Sequence, residues 1–569
     1  MRNSLRPLAP GGSALQRWCL RPALCLALLV ALPANAQELR GLTEMSLEQL
    51  LELKIVGASK YAQSQNEVAA AAVIITRQAI QAFGWRTLDE ALGSLPGIHT
   101  TYNRQLSSVG ARGFGLPGDF NTRLLVMING NRINEPIYDS GVAGTAFPVD
   151  MDLVERIEFI PGPGGAVYGQ NAMFGVVNVI TRKAADLDGG EVSVAYQDPQ
   201  ALREGRASWG KQFDNGIEML LSVSGMKATG EDHFFDFGPA GITGVAAGMD
   251  GEKSRRLFLQ VGRGPWFIQH ASGTWRKEDP IGSFFSDPLT PGQHMETELE
   301  VTQLQFEDRF AGDRLTFSAR LFRKSLQFRT LLSYDGTGFA SDTQSRLYGG
   351  ELRVLYTGID LHKLHFGIEG QESPRAEQLI PVTGDPADDI LATSPGHSLG
   401  VFAQDEWQIS DRLSATLGLR VDHNDVTGSA ASPRMGLIWQ ATPSTTIKAL
   451  YGHAHRAPNA YERSYDDGST LVGNPELKGE QIDTYELVAD RRIGRKTSVR
   501  LSLYHWDMKR LITLGLHPVS SIPQYQSGEE INAQGAEITL DRDWDSGLRV
   551  RGSLALQDVA FRGGAALVN

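Results

Sequence analysis

Strict alternation of apolar and polar residues runs through most of this 569-residue chain and limits the folds open to it. Residues 412–421 show it best, because every second residue is apolar and the residues between are Arg, Ser, Thr, Gly and Arg. A period of two places successive side chains on opposite faces of a β-strand. The alternation starts near residue 186 and continues without helical patterns, so we expect a large antiparallel sheet.

Two architectures satisfy this pattern, a soluble β-sandwich and a transmembrane β-barrel. Arginine and lysine recur on the polar face, where they would line a wet lumen. Long polar stretches such as 227–254 and 372–397 alternate with short turns. An open sheet of this size would leave unpaired edges, which lipid does not tolerate. We therefore favour a mainly β protein built on a transmembrane antiparallel β-barrel.

Residues 62–183 follow a different, mixed pattern. Val73–Thr76 and residues 124–129 are typical of buried strands, and Arg77–Phe83 and residues 87–95 of short helices ended by glycine or proline. Glycine, proline and asparagine turns separate these segments. The pattern predicts a compact α+β module that precedes the barrel.

The first 36 residues have the features of a secretory signal peptide. Four arginines precede a short apolar stretch at 23–32, and Ala34-Asn35-Ala36 offers a cleavage site, so we expect the mature chain to begin at Gln37. That stretch is too short to cross a bilayer core of about 30 Å as a helix. Both cysteines, Cys19 and Cys25, lie in the removed part, which excludes disulfides and thiolate–metal sites from the mature protein.

The net charge and the motifs of the sequence narrow the range of possible functions. Removing the four arginines, the only charges among the first 36 residues, lowers the net charge from −12 to −16. An acidic balance argues against a nucleic-acid partner. The sequence contains no nucleophile elbow and no HExxH motif, so we expect neither enzyme activity nor a cofactor.

Two series of motifs resemble the TonB-dependent outer-membrane receptors. The plug-like series occupies 73–77, 87–98, 111–115 (Ala-Arg-Gly-Phe-Gly), 121–130, 154–160, 162–169 and 175–181. The barrel-like series occupies 400–407, 418–423, 456–459 (Arg-Ala-Pro-Asn), 473–480, 484–487 and 534–538. The resemblance covers most of the mature chain and is weakest between 190 and 395. It implies an α+β plug inside a transmembrane barrel of the bacterial outer membrane.

This resemblance divides the chain into a signal peptide (1–36), a periplasmic leader (37–65), a plug (66–183) and a barrel (184–569). The family's barrel is 22-stranded, and residues 184–569 are few for that number of strands of about ten residues each. The chain also ends at Asn569 without the terminal aromatic residue usual in the family. We expect the last strands to be missing, which would leave an open sheet edge.

The leader contains a candidate contact for TonB, the partner that energises import. An outer-membrane pore has no nucleotide supply, and the family uses a short extended segment that pairs with a strand of TonB. The candidate segment consists of Leu53, Lys54, Ile55, Val56, Gly57, Ala58 and Ser59. Alternatively, this segment only ends the amphipathic run that precedes it. The leader is too short for an additional signalling domain.

Charged residues are expected to hold the plug in the lumen. The resemblance implies that Arg112 of the plug faces the barrel carboxylates Glu486 and Glu537, a set that we name the plug–barrel latch. Pro161 replaces the arginine that usually precedes the Gly-Pro of the glycine-rich run, so one plug cation is missing. The alternative is that the three residues are ordinary solvated lumen charges.

Ligand contacts are expected from loops at the plug apex and at the outer barrel rim. The candidates are Asn103, Arg104, Gln105, Asp119 and Tyr138 on the plug, and Tyr461, Tyr465, Asp466 and Asp467 on the barrel. Their alternative role is loop solvation. His453 and His455 project to one strand face, and His362 and His365 to opposite faces. Neither pair has a third ligand in view, so no metal site is predicted.

These features favour a monomeric receptor that binds a scarce nutrient at the cell surface and imports it with TonB and its inner-membrane complex. An iron–siderophore complex is the first candidate ligand, and cobalamin is the second. One alternative is a passive outer-membrane channel or surface-binding protein that is not coupled to TonB. The other is a secreted β-rich glycan-binding enzyme.

Overall fold

A computed structural model describes residues 53–115, 119–238, 241–383, 385, 387–544, 546 and 548–561. The predicted signal peptide, with its cleavage site and both cysteines, lies outside the described residues. So do most of the leader and the last eight residues, 562–569. Among the helices of the described ranges, none is long and apolar enough to cross a membrane.

The N-terminal module is built on a five-stranded mixed sheet. Its strands are β3 (Val73–Thr76), β6 (Leu124–Ile128), β7 (Asn131–Arg132), β8 (Val154–Pro161) and β9 (Gly175–Thr181), in the order β3-β8-β9-β6-β7. β6 and β9 run parallel, and every residue of β6 is buried. Two small antiparallel pairs flank the sheet: β1 (Lys54–Ile55) with β2 (Gln63–Ser64), and β4 (Ile98–Tyr102) with β5 (Ser107–Ala111).

Three short helices connect these strands: α1 (Arg77–Phe83), α2 (Leu88–Leu92) and α3 (Gly165–Tyr168). The Thr76 hydroxyl accepts a hydrogen bond from the Ala79 amide and caps α1, and Gly84 ends α1 in the left-handed conformation. Single turns of 3₁₀ helix cover Met151–Leu153 and Ala184–Asp186. The predicted α+β module is present, with helices near both predicted positions.

The rest of the described chain forms one 18-stranded antiparallel sheet with edges at β10 and β29, in which strands pair in chain order. Its strands are β10 (Gly189–Gln197), β11 (Leu202–Gln212), β12 (Ile217–Ala228), β15 (Glu252–Arg263), β16 (Trp266–Glu278), β17 (His294–Phe310), β18 (Leu315–Tyr334), β19 (Thr337–Tyr356), β20 (His362–Ile380), β21 (Ile390–Thr393), β22 (Gly396–Ser410), β23 (Leu413–Asn424), β24 (Gly428–Thr442), β25 (Thr445–Arg456), β26 (Glu480–Ile493), β27 (Thr497–Leu516), β28 (Pro523–Asp543) and β29 (Arg549–Phe561).

Three connections contain structure of their own. The link from β12 to β15 holds a hairpin of β13 (His233–Asp236) and β14 (Thr243–Ala246). A 3₁₀ turn, Ser283–Phe285, lies between β16 and β17. Helix α4 (Ala460–Ser464) lies between β25 and β26.

The two faces of the large sheet are inverted relative to a soluble protein. In β23 the apolar residues Leu417, Leu419 and Val421 are 53%, 49% and 44% exposed, whereas the polar residues Thr416, Arg420 and Asp422 on the other face are buried. A soluble β-sandwich buries its apolar faces against each other. An exposed apolar face and a covered polar face are instead typical of a sheet that meets lipid outside and polar groups inside.

The covered polar face contacts the N-terminal module through cations that donate hydrogen bonds to backbone carbonyl oxygens. These donors come from β15, β18, β19, β23, β24, β25 and β27. They are Arg256, Arg320, Lys324, Arg353, Arg420, Arg434, Lys448 and Arg500. Each of these hydrogen bonds avoids the free-energy cost of burying a carbonyl group without a partner. The carbonyl oxygen in turn partly balances the positive charge of the donor. We name these eight side chains the barrel cations.

Four barrel cations hold one continuous stretch, residues 58–72. Arg434 donates to Ala58 O and Ala69 O at 3.0 and 2.5 Å. The Lys448 ammonium donates to the carbonyl oxygens of residues 65, 68 and 70 at 2.8, 2.9 and 3.0 Å. Arg353 donates to Lys60 O, and Arg500 to the carbonyl oxygens of residues 71 and 72. This stretch has little regular structure, so these contacts replace the hydrogen bonds that a helix or sheet would supply.

Replacing Lys448 by methionine keeps the apolar stem and removes the donor to three carbonyl oxygens. Because hydrogen bonds to charged groups contribute about 1.5–3 kcal/mol each, we expect the amides of residues 65–72 to exchange hydrogen at least tenfold faster. Mass-spectrometric hydrogen exchange measures this. The matched control is Lys253→Met on the exposed side of β15, which should leave the exchange of 65–72 unchanged. Equal exchange in both variants would contradict the role of Lys448.

Candidate functional site: a cavity above the plug

A cavity of about 1180 Å³ lies between the N-terminal module and one end of the large sheet. Its floor includes Phe114, Phe120 and Phe174, and its walls come from the links β16–β17 and β25–β26 and from residues of β18, β19, β20, β27, β28 and β29. The links at this end include four of 15 or more residues, 229–251, 279–293, 381–395 and 457–479, whereas those at the other end, such as 311–314 and 443–444, are short. In outer-membrane barrels the long loops face the cell exterior. The cavity therefore opens toward the outside.

Aromatic side chains dominate the cavity. The Phe120 ring lies 5.0 Å from the Tyr138 ring and 6.0 Å from the Tyr461 ring, measured between centroids. Tyr461 is 5.1 Å from Tyr465 and 6.1 Å from Tyr525. The other aromatic lining residues are Phe114, Phe174, Phe284, Phe285, Phe328, Tyr334, Phe339 and Phe561. Rings that contact each other at these distances form a continuous apolar surface with hydroxyl groups at its margins.

Hydrogen bonds fix the position of the plug segment around Asn121, which is part of the cavity floor, and of helix α4. The Asn121 side chain accepts a hydrogen bond from the Val109 amide at 2.7 Å and donates to Gly141 O at 3.0 Å, which joins two plug segments. Asn459 caps α4 and also donates to Tyr138 O at 2.9 Å. The Tyr461 amide donates to Ile137 O at 3.1 Å. The aromatic cluster is therefore held by backbone contacts between plug and barrel.

Five of the nine predicted ligand residues line this cavity: Asp119, Tyr138, Tyr461, Tyr465 and Asp467. The other four lie elsewhere. Arg104 forms an ion pair with Asp250, and the Gln105 amide group donates to Glu278 O at 2.7 Å. Asn103 and Asp466 accept hydrogen bonds from backbone amides of their own turns. These four residues stabilise loops and plug–barrel contacts away from the cavity.

A buried charge network lies below the aromatic floor. Arg123 of the plug donates to Glu480 at 2.6 Å and forms an ion pair with Asp119 at 3.2 Å. Glu480 also accepts a hydrogen bond from Arg456 at 2.6 Å, and Arg456 in turn contacts Glu462 of α4. Burial lowers the pKa of Arg123, but Glu480 outweighs this effect and holds that pKa above its ordinary value. The two barrel motifs at 456–459 and 473–480 therefore contact the plug through one group of charged side chains.

The plug–barrel latch residues are in direct contact. The Arg112 guanidinium lies 2.5 Å from Glu486 and 2.9 Å from Glu537, and it stacks 3.9 Å from the centroid of the Tyr504 ring. Burial lowers the pKa of Arg112, but the two carboxylates outweigh it and raise the pKa above its ordinary value. Gly97 has φ +70°, and a Cβ there would collide with the Glu537 carboxylate. Only glycine therefore admits the carboxylate at this position.

A further cation that contacts the barrel, which the sequence did not indicate, is Lys60 at the end of the leader. Its ammonium lies 2.5 Å from Glu351 and 3.5 Å from Glu369 on the inner face of the barrel. Burial lowers the pKa of Lys60, and the two carboxylates act in the opposite direction. Pro161 lies elsewhere, at the end of β8. Lys60 directly follows the candidate TonB segment in the chain. This position next to the segment is the feature of the sequence that could have indicated its role.

The candidate TonB segment is docked on the plug. Residues 54–55 form β1 with β2, and Ile55 is fully buried. The amides of Val56 and Gly57 donate to the buried Glu158 carboxylate at 3.2 and 2.7 Å. A Cβ at Gly57 would lie 2.8 Å from the Ile160 side chain, so the close packing requires glycine. Pairing of this segment with another protein would require it to leave these contacts.

The four histidines that were considered as metal ligands all contact other protein groups. His453 bonds to Asp483 at 3.0 Å, and His455 lies 3.2 Å from the Ser432 hydroxyl. His362 bonds to Asp405 at 2.9 Å, and the His365 ring packs against Phe402. Within the ranges that the structure describes, no group of three or more His, Cys, Asp or Glu side chains is arranged to hold a metal ion.

Replacing Arg112 by methionine would leave Glu486 and Glu537 buried without their cation. Removing one partner of a buried ion pair typically costs about 3–5 kcal/mol. We expect the free energy of plug opening, measured by hydrogen exchange at β5, to fall by this amount, and Glu537→Gln in the same chain to restore part of it. The half-exposed Arg323, paired with Glu300, is the control, and Arg323→Met should cost below about 1 kcal/mol. Similar losses in both variants would refute the latch.

Comparison with known proteins agrees with this architecture. The family model for the TonB-dependent receptor plug domain matches residues 64–176, and the model for the TonB-dependent receptor-like β-barrel matches residues 251–568. The iron-regulated outer membrane virulence protein of Vibrio cholerae serotype O1 is 25% identical over 519 residues, which cover 86% of this chain and 75% of that protein. The vitamin B12 transporter BtuB of Vibrio vulnificus is 26% identical over 494 residues, which cover 85% and 74%.

Solved structures show the same fold. The chain superposes on a ferric enterobactin receptor variant from Pseudomonas aeruginosa with a TM-score of 0.69, at 21% identity, covering 86% of this chain and 80% of that one. The siderophore receptor PirA from Acinetobacter baumannii gives a TM-score of 0.64 at 16% identity, covering 84% and 78%. The β-barrel model alone matches more than half of the chain. The chain therefore belongs to the TonB-dependent receptor family, as a plug-and-barrel nutrient import receptor of the bacterial outer membrane and not an enzyme.

Proposed function

We propose that this receptor binds an iron–siderophore complex in the cavity above the plug and releases it to the periplasm when TonB moves the plug. The cavity carries the proposal, because it opens outward, is lined by rings and has the plug as its floor. Several relatives are named for iron regulation or for ferric enterobactin. Cobalamin is the second candidate ligand, since other relatives are vitamin B12 transporters.

We propose that residues 53–59 contact TonB by β-strand pairing. The docked state of this segment supports a two-step mechanism. The segment first leaves β2 and the Glu158 carboxylate, and its freed edge then pairs with TonB. The amides of Val56 and Gly57 both donate to Glu158, so this one carboxylate and the pairing with β2 together hold the docked state.

A pull on this segment reaches the plug through residues 58–72. Lys60 is the next residue in line, and its ion pairs with Glu351 and Glu369 join the segment to the barrel wall. The contacts of Lys448 and Arg500 with residues 65–72 follow in chain order. Contacts that are arranged in sequence break one after another, so the force needed at any moment is that of a few hydrogen bonds. The Arg112 contacts lie further along the chain and hold the remaining plug.

The domain boundaries that we propose are 37–65 for the leader, 66–183 for the plug and 184–569 for the barrel, after a signal peptide of 1–36. Residues 58–65, at the end of the proposed leader, contact the barrel cations as the plug does. Among the alternatives, membership of the receptor family opposes a glycan-binding enzyme. A passive channel is opposed by the many contacts that keep the plug in place.

A disulfide between positions 54 and 64 tests the coupling. Lys54 and Ser64 are register partners in β1 and β2, where opposed Cβ atoms lie about 4.5–5.5 Å apart. We expect Lys54→Cys/Ser64→Cys to bind ligand normally but to lose TonB-dependent uptake when oxidised, and to regain uptake after reduction. Asp236→Cys/Thr243→Cys in the outer hairpin, also register partners, is the control. Uptake that persists in the oxidised 54–64 variant would reject the coupling role of this segment.

A further inference from the structure

The charged groups that line the cavity are almost all negative. Four aspartates line it, at positions 119, 287, 335 and 467, against a single arginine at 123. No lysine lies among the described lining residues. A concave wall of low polarity concentrates the field of such charges. The cavity therefore has a negative potential for any ligand that enters it.

The single arginine does not offset this potential. The Arg123 guanidinium is committed to protein partners, because it donates hydrogen bonds to Glu480, to Asp119 and to Ile512 O at 2.9 Å. Its charge is balanced by Glu480 and by Asp119, so the excess negative charge of the described lining comes from Asp287, Asp335 and Asp467. A ligand anion that approached it would have to displace Glu480, which is completely buried and also holds Arg456. Arg123 therefore stabilises the floor and offers no anion site.

Two aspartates of the rim, Asp287 and Asp467, have a lowered pKa and remain ionised. Asp287 accepts hydrogen bonds from the amides of residues 335 and 336 and from the Ser333 hydroxyl. The Gly336 amide is the main cause of a lowered Asp287 pKa. Burial raises the pKa of Asp467, but hydrogen bonds from Thr470 and neighbouring amides outweigh it and lower that pKa. Asp335 is exposed at the tip of the β18–β19 hairpin.

The aromatic lining, like the aspartates, favours a ligand that is cationic or uncharged. Ring faces carry partial negative charge and attract cations and weakly charged apolar groups. Phe284 and Phe285 both adopt positive φ, at 55° and 65°, and Phe285 is 65% exposed at the cavity wall. Large residues rarely adopt this conformation, and where they do the site is often a ligand clamp. Burial raises the pKa of Tyr461, so its hydroxyl stays protonated and can donate a hydrogen bond.

We propose that the cavity accepts an uncharged or cationic iron(III) chelate of the trihydroxamate class and rejects tris-catecholate chelates. Three hydroxamates neutralise the charge of iron(III), and a pendant amine makes the chelate cationic. Three catecholates leave the complex triply negative. A triply negative chelate that is removed from water needs nearby cations to balance its charge, and the charged side chains of the described lining are four aspartates and one committed arginine. This inference rests on the proposed function, the import of an iron chelate.

Binding of radiolabelled iron chelates to outer membranes that contain the full chain tests the proposal. The probes are an uncharged trihydroxamate, a cationic trihydroxamate, a tris-catecholate and cyanocobalamin. We expect both trihydroxamates to bind at least tenfold more tightly than the tris-catecholate, because a like-charged wall opposes the anion. Tighter binding of the tris-catecholate or of cobalamin, or no binding of either trihydroxamate, would overturn the proposal.

Two variants separate charge from shape. Asp335→Asn should weaken binding of the cationic chelate by about two- to threefold, as expected for an exposed charge, and leave the uncharged one unaffected. Asp313→Asn is the matched control, because Asp313 is also exposed with positive φ but lies on a short turn at the opposite end of the sheet. Phe285→Asn tolerates the left-handed backbone and should weaken both chelates by about fivefold. If Asp335→Asn affects the two chelates equally, the charge argument is wrong.

A different measurement, uptake with and without TonB, tests the proposed function. Binding to membranes does not need TonB, whereas import does. Uptake of any bound chelate by cells that lack TonB would refute the proposed coupling and leave the ligand class standing. Tris-catecholate uptake that requires TonB would refute the ligand class and leave the coupling standing.

Discussion

Hydrogen bonds from barrel cations to plug carbonyl oxygens are the interaction on which the rest of the structure depends. A plug made largely of loops carries many backbone groups that neither helix nor sheet satisfies, and an enclosed lumen has too little water to satisfy them all. Inward-facing arginine and lysine side chains supply the donors and are themselves neutralised in part by the carbonyl dipoles. The polar inner face of the barrel is therefore a requirement of the plug, just as the apolar outer face is a requirement of lipid.

This arrangement also explains how one plug can be both secure and movable. The contacts on residues 58–72 are several, individually modest and consecutive along the chain. The Arg112 latch and the Arg123 network are buried, and they hold the part of the plug that forms the cavity floor. Movement that begins at the leader can thus proceed some way before it reaches the floor. In the proposed mechanism, ligand binding and energy input act on opposite ends of one connected set of contacts.

Much of the fold could be predicted from the sequence, because its causes are local and periodic. The alternation at 412–421 predicted strand β23 and its outward face, and the motif order predicted the plug ahead of the barrel. The resemblance also paired Arg112 with Glu486 and Glu537, which are distant in sequence and lie together in the structure. Contacts made by charged side chains in a recurring framework can be inferred in this way.

Other features left no readable signal. A carbonyl acceptor such as Ala69 O is the same group in every residue, so nothing in the sequence marks the partner of Arg434. The cavity collects aromatic residues from strands and links spread between residues 114 and 561, and no single stretch is rich enough to indicate it. Asn103 and Arg104 have the expected polarity and plug position, but the loop directs Arg104 to Asp250. Side-chain direction in a loop depends on tertiary contacts that residue type does not encode.

Single-molecule force spectroscopy with a handle at Lys54 tests most directly whether these contacts open in sequence. The account predicts that the first extension events release residues 54–72 in steps at low force, while the five-stranded plug sheet and the large sheet stay folded. Replacing Lys448 by methionine should remove or weaken one of these early steps. Release of the whole plug in a single event, or rupture of the large sheet before residues 58–72 extend, would contradict the account.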